Sequence, residues 1–185
     1  MLRFNNKLVR VNGNLASIGY VPPEPPEPPA PSGYQYFLWY VEKNNTNASS
    51  FMQQDLALYD ASAPSTKITG FTALAGKTSS NPESENYPNG VDGNENSKWY
   101  SDNTWPNWVI FTNDNIINPI GLSYMTSNDQ AACYNRSPIN YKLCGSNVST
   151  TDPTDSNWTV IYQATEDLTF YNVCNNMTWV DKYFS

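Results

Sequence analysis

The residues best suited to chemistry gather in one short polar loop. Val91-Asp92-Gly93-Asn94-Glu95-Asn96-Ser97 concentrates side-chain and backbone oxygens around a glycine that permits a sharp turn, and a hard cation such as calcium requires oxygen donors converging on one point. An Asx-type turn would use the same residues with no ion. A second set suits a polyhydroxylated ligand. Tyr87, Trp105 and Tyr134 offer aromatic faces for stacking on a sugar ring, while Asn128, Asp129 and Arg136 offer groups that hydrogen-bond hydroxyls. Exposed Tyr and Trp serve a protein contact equally well. Catalysis finds little to work with. The chain has no histidine, which removes the commonest general base and every Ser-His or Cys-His pairing. Neighbouring acids such as Glu83 with Glu85, or Glu166 with Asp167, read as solvated charge rather than a glycosidase pair. The expectation is a protein that is not an enzyme.

The elements that must position these residues follow from composition. The chain is 39% hydrophobic and 14% aromatic but only 15% charged, so its apolar content favours strands over helices. Asn, Ser and Thr fill the intervals and suit turns. A net charge of -7 gives no support to capture of nucleic acid or an anionic membrane surface. Cys133, Cys144 and Cys174 make an odd number without CxxC spacing, so neither a disulfide scaffold nor a zinc site is legible. Cys144 lies in an apolar alternation and reads as core, and a Cys133 to Cys174 bond remains an open alternative.

Three segments are expected. Residues 1–20 alternate in a strand-like way around Asn5-Asn6 and Asn12-Gly13, which reads as one or two small hairpins. Two strands alone are marginal in water, so this segment is read as an attachment peptide, against the alternative that it packs on its own domain. Residues 21–32 hold VPPEPPEPPAP, expected as a polyproline II spacer of roughly 30 Å at ~3.1 Å per residue. Residues 33–185 form the domain. Its short β runs are Tyr34 to Val41, Met52 to Tyr59, Trp108 to Phe111, Ile120 to Thr126, Ile139 to Gly145 and Trp158 to Gln163, with a strand-like tail near Thr178 to Phe184. Many short strands broken by polar turns predict an all-β sandwich. Trp99, Trp108 and Trp158 sit in or beside these runs and read as core. In Tyr141-Lys142-Leu143-Cys144, Leu143 is expected to face the core and Lys142 water.

Read in order, three pieces resemble the galactose-binding-like superfamily, the discoidin or coagulation factor 5/8 type C domains. They are NYPNGVDGNENSKWYS (Asn86 to Ser101), WVIFT with PIGLSYMTSND (Trp108 to Asp129), and NRSPINYKLCGSN with NWTVIYQ (Asn135 to Gln163). The resemblance implies a jelly-roll β-sandwich of the carbohydrate-binding-module type. It also implies a structural calcium held by the Asp92 and Ser97 side chains, a carbonyl near Asn94, and an acid from the closing strand, here Asp55. That family usually has Glu there, one methylene longer. YQYFLWYVEKNN with MQQDLALYD (Tyr34 to Asp60) is similar to the strand pair that closes the fold, so a permuted order with those strands first is expected.

The first twenty residues lack the continuous apolar stretch of a signal peptide, so synthesis as a soluble cytoplasmic chain is expected. A module similar to secreted sugar binders but made inside a cell can still reach the exterior on particles released by lysis. The expectation is therefore a bacteriophage virion appendage, a fibre, decoration or tail-associated protein. It would dock to other virion proteins through residues 1–20, assemble as a homo-oligomer, and present the sandwich to a glycan or cell-surface polysaccharide. The alternative is a purely structural decoration or assembly protein with no sugar ligand.

Overall fold

A computed structural model describes residues 32–44, 50–79, 83–101, 105–128, 136–172 and 177–184, together with the backbone of 8–11 and 14–17. The chain divides into two compact units, Met1–Ala30 and Pro31–Ser185. In the first, β1 (Leu8–Val11) pairs antiparallel with β2 (Asn14–Ser17), Val11 opposite Asn14. The strand ends thus flank the Asn12-Gly13 pair. The proline-rich stretch lies outside the described residues.

The second unit is the expected all-β sandwich. One sheet holds five strands, β3 (Tyr34–Asn44), β7 (Thr72–Gly76), β9 (Asn107–Ile117), β11 (Pro138–Ser146) and β12 (Thr159–Ala164), in the order β12-β11-β3-β9-β7. The other holds β5 (Asp55–Asp60), β6 (Ala63–Ile68), β10 (Pro119–Met125) and β13 (Trp179–Tyr183), in the order β13-β10-β5-β6. A separate ribbon pairs β4 (Phe51–Gln53) with β8 (Trp99–Ser101). Two 3-10 turns, η1 (Glu83–Glu85) and η2 (Tyr87–Gly90), precede β8, and a single helical turn, α1 (Thr169–Asn172), follows β12. Among the described residues all the pairings are antiparallel.

Alternation along the strands builds the core between the sheets. Phe37, Trp39 and Val41 of β3 face inward with Val109 and Phe111 of β9 and Leu143 of β11, against Leu56 and Leu58 of β5 and Leu122 and Tyr124 of β10. Each such side chain, once buried, stabilises by about 1.5–3 kcal/mol relative to exposure. Phe170 of α1 enters the same core, 4.8 Å from the Tyr124 ring and 5.3 Å from Tyr141. Among the intervening residues of the five-stranded sheet, Leu38, Ile110 and Cys144 form a second buried cluster on its other face.

The structure departs from the sequence expectation in particular places. The run from Met52 to Tyr59 is broken at Gln54, whose N–H bonds Met125 O at 3.1 Å, so it becomes β4 in the ribbon and β5 in the sheet. β6, β7 and β8 were not anticipated. β6 and β7 are edge strands, and their residues APSTKI and TALAG carry too few β-branched or aromatic side chains to stand out. The opening segments do not pair with each other. β3 is central in one sheet and β5 lies inside the other.

Candidate functional site

At the start of β5, where the chain leaves the ribbon, Asp55 is completely buried. Its Oδ1 accepts the Leu56 N–H at 2.8 Å, while Oδ2 is buried with no hydrogen-bond partner. Burial pushes this carboxyl up to about 7; the N–H groups of Leu56 and Gly93 oppose the rise, and the charges of Asp92 and Glu95 add to it. A buried carboxylate oxygen without a partner is costly.

The loop facing Asp55 is the oxygen-rich segment singled out above. It is shaped by Gly93 at φ +75°, whose backbone lies so close to Gly70 that a Cβ would come within 2.8 Å of Gly70 N. The Asp92 carboxylate accepts the Asn94 N–H at 2.9 Å. Ser97 Oγ lies 2.9 Å from both Asp92 Oδ2 and the Asn94 carbonyl. The structure therefore brings Asp92, Asn94 and Ser97 together as an Asx-type turn, with Asp55 close enough to feel the Asp92 charge. Among the described residues no three His, Cys, Asp or Glu side chains form a metal-holding group. A cation here would have to use the Asn94 carbonyl and Ser97 Oγ beside the two aspartates, a donor set suited to calcium and foreign to zinc. The orphaned Asp55 oxygen fits such an ion.

Gln54, which sequence reasoning missed, ties this loop to its neighbour. Fully buried, it donates through Nε2 to Glu95 O at 2.9 Å and accepts the Asn128 N–H through Oε1 at 3.3 Å. Glu95 Oε1 in turn accepts the Trp179 indole N–H at 2.9 Å. The polar stretch Gln53-Gln54-Asp55 interrupting the strand-like run is the one signal that could have revealed it.

The residues expected to contact a ligand are placed around the β4–β8 ribbon. Asn128 is exposed and its Oδ1 accepts from Lys98 Nζ at 3.4 Å, and Lys98 also pairs with Glu85 at 3.1 Å. The Arg136 guanidinium lies 5.0 Å from the Tyr100 ring centroid, a cation–π contact. Tyr87, in η2, turns part of its ring to the core and lies on Gly76, where a Cβ would come within 2.3 Å of Tyr87 Cγ. Trp105 also packs against the core, edge-on to Phe51 at 6.4 Å. Asp129 and Tyr134 lie outside the described residues, as do Cys133 and Cys174. The structure thus pairs Asn128 with Lys98 and Arg136 with Tyr100, and leaves Tyr87 and Trp105 with only part of each ring exposed.

Three other readings can be placed. Leu143 is fully buried, and Lys142 on the opposite face stands 3.7 Å from Glu42 and 4.4 Å from the Tyr40 ring centroid. Cys144 is buried, with its thiol pushed up to about 11 by burial against the opposing pull of Lys142, a position unsuited to nucleophilic chemistry at neutral pH. Trp99 is fully buried, whereas Trp108 and Trp158 are half-buried against the Leu38–Ile110–Cys144 cluster. Compared with protein-family models, with curated proteins and with solved structures, the chain has no match.

Proposed function

We propose that this chain is a non-enzymatic virion appendage of a bacteriophage, a fibre, decoration or tail-associated protein, whose β-sandwich presents a carbohydrate-binding surface. Residues 1–20 attach it to other virion proteins, and it works as a homo-oligomer. Asp55, Asp92, Asn94 and Ser97 hold a structural calcium that keeps the neighbouring loop in a binding-ready shape. The observation that carries the reading is the polar and aromatic group at the β4–β8 ribbon. Lys98 bonds Asn128, and Arg136 lies over the half-exposed Tyr100 ring; together they supply donors, acceptors and aromatic surface of the kind sugar hydroxyls and ring C–H groups require. Gln54 joins that group to the calcium loop, so ordering one orders the other.

The test is a glycan array and a pull-down on capsular polysaccharide with the full chain, alongside mass spectrometry of purified phage particles. Binding that falls at least about tenfold on Arg136→Ala, a loss of about 1.4 kcal/mol, supports the reading, as does the chain's presence in particles. Absence from particles overturns the virion assignment. A purely structural decoration role is favoured by the partial burial of Tyr87 and Trp105 against the core, which reduces the stacking area on offer. Presence in virions with no binding to any glycan would select it.

A further inference from the structure

The outer face of the five-stranded sheet carries a recess that neither the motif reading nor the ribbon site uses. Register sets Val160, Cys144, Leu38 and Ile110 in one row across β12, β11, β3 and β9, with Lys142 beside Tyr40 in the next row. The loop between β11 and β12 folds back over these rows. It is held by its own hydrogen bonds: Trp158 Nε1 donates to Asp152 O at 2.8 Å, Asp152 Oδ1 accepts the Thr154 N–H at 2.8 Å, and Asp155 Oδ1 accepts the Asn157 N–H at 2.9 Å. Between loop and sheet lies a recess of about 280 Å³, lined by Tyr40, Lys142, Cys144, Asp155, Trp158 and Val160 among others.

We propose that this recess is a separate binding site for a single neutral sugar ring. Trp158 supplies aromatic surface, with Tyr40 beside it under Lys142 Nζ at 4.4 Å; Lys142 supplies a donor with three N–H groups, and Asp155, whose Oδ1 is engaged by Asn157, supplies an acceptor through Oδ2. A wholly apolar guest would strip water from Lys142 and Asp155 and give nothing back. An anionic guest meets the wrong balance of charge. Lys142 is already compensated by Glu42 at 3.7 Å, Asp155 adds a negative charge, and the chain as a whole carries -7. The volume lies just below the ~300–1,000 Å³ of drug-sized pockets, which suits one ring rather than a buried chain. Because the loop is fixed by its own turns, little ordering is lost on binding. Lys142 belongs to β11 and Val160 to β12, so this site stands or falls apart from the ribbon site around Arg136.

The experiment is an NMR titration of the full-length 15N-labelled protein with methyl glucoside, methyl galactoside and methyl mannoside, and with N-acetylneuraminic acid as the anionic control. At least one neutral sugar should shift the Trp158 indole N–H with a Kd on the order of 1–10 mM. Val160→Glu, at a position 52% exposed where folding is not at stake, should weaken that binding at least about tenfold without lowering Tm. Arg136→Ala should leave it unchanged. The proposal is overturned if no neutral sugar moves Trp158 at about 50 mM, a level that would reveal even millimolar binding, if Val160→Glu has no effect, or if the anionic sugar binds more tightly. Glycan binding that is lost with Arg136→Ala and kept with Val160→Glu would sink this site and leave the ribbon reading intact.

Discussion

Two aspartates, Asp55 buried and Asp167 half-buried, pull stability in opposite directions with pH. Burial alone would raise Asp167, but hydrogen bonds from Thr169, Lys182 and Tyr141 outweigh it and hold the carboxyl down at about 2. Its contribution is therefore present above the ordinary carboxylate value near 4 and is lost as pH falls towards 2. Asp55 is the reverse case. Its folded value of about 7 lies above the ordinary one, so its contribution is full below about 4 and is lost as pH rises through 7. In chelator, the thermal midpoint should then be highest near pH 4–5, on the order of the ordinary carboxylate value, and decline towards pH 8. Calcium should reverse that decline, because it binds the ionised form. Asp55→Asn should raise the calcium-free midpoint at pH 8 by a few degrees, about 4 °C per kcal/mol or less at this chain length, and abolish the calcium response. A scanning fluorimetry grid of pH against calcium checks all three outcomes. Equal midpoints with and without calcium at pH 8 would refute the metal assignment.

At the scale of elements, the loop after η2 is held by an approach of two backbones that only glycine permits. Gly93→Ala forces both a positive φ and a clash with Gly70. It should cost about 1–3 kcal/mol, read as a lower urea midpoint with an unchanged m-value. The sequence announced this loop through Asp92, Gly93 and Asn94, since a local turn depends on adjacent residues. It announced the central strands for the same reason: Phe37, Trp39 and Val41 alternate within a few positions. It did not announce Gln54, whose partners Glu95 and Asn128 lie 41 and 74 residues away. Nor did it reveal the recess. Trp158 and Tyr40 look like core aromatics in a linear reading, and Trp158 does rest on the Leu38–Ile110–Cys144 cluster. What distinguishes them is the loop that covers one sheet face, a non-local fact with no signature in spacing. Tyr87 shows the converse. It reads as an exposed loop aromatic, and it is the missing side chain of Gly76 in an unrecognised edge strand that lets its ring settle inward.

At the scale of the molecule, the second unit has its own core and its own two sheets. A chain beginning at Pro31 should fold unaided, with a midpoint within about 2 °C of the full chain, which corresponds to less than about 1 kcal/mol. Circular dichroism melts of the two chains measure this. A larger loss would mean that the first unit lends support to the sandwich.

The central position of β3 also governs how the sandwich comes together. The first strand of the unit to leave the ribosome is the one flanked on both sides in the finished sheet, by β9 and β11, which begin only at Asn107 and Pro138. Until those segments emerge, a strand carrying Phe37, Leu38 and Trp39 has no neighbour to cover it. Long sequence separation between partners slows folding, and uncovered apolar strands invite self-association. Recombinant yield should accordingly depend on growth temperature and chaperone supply more than the stability of the finished fold would suggest.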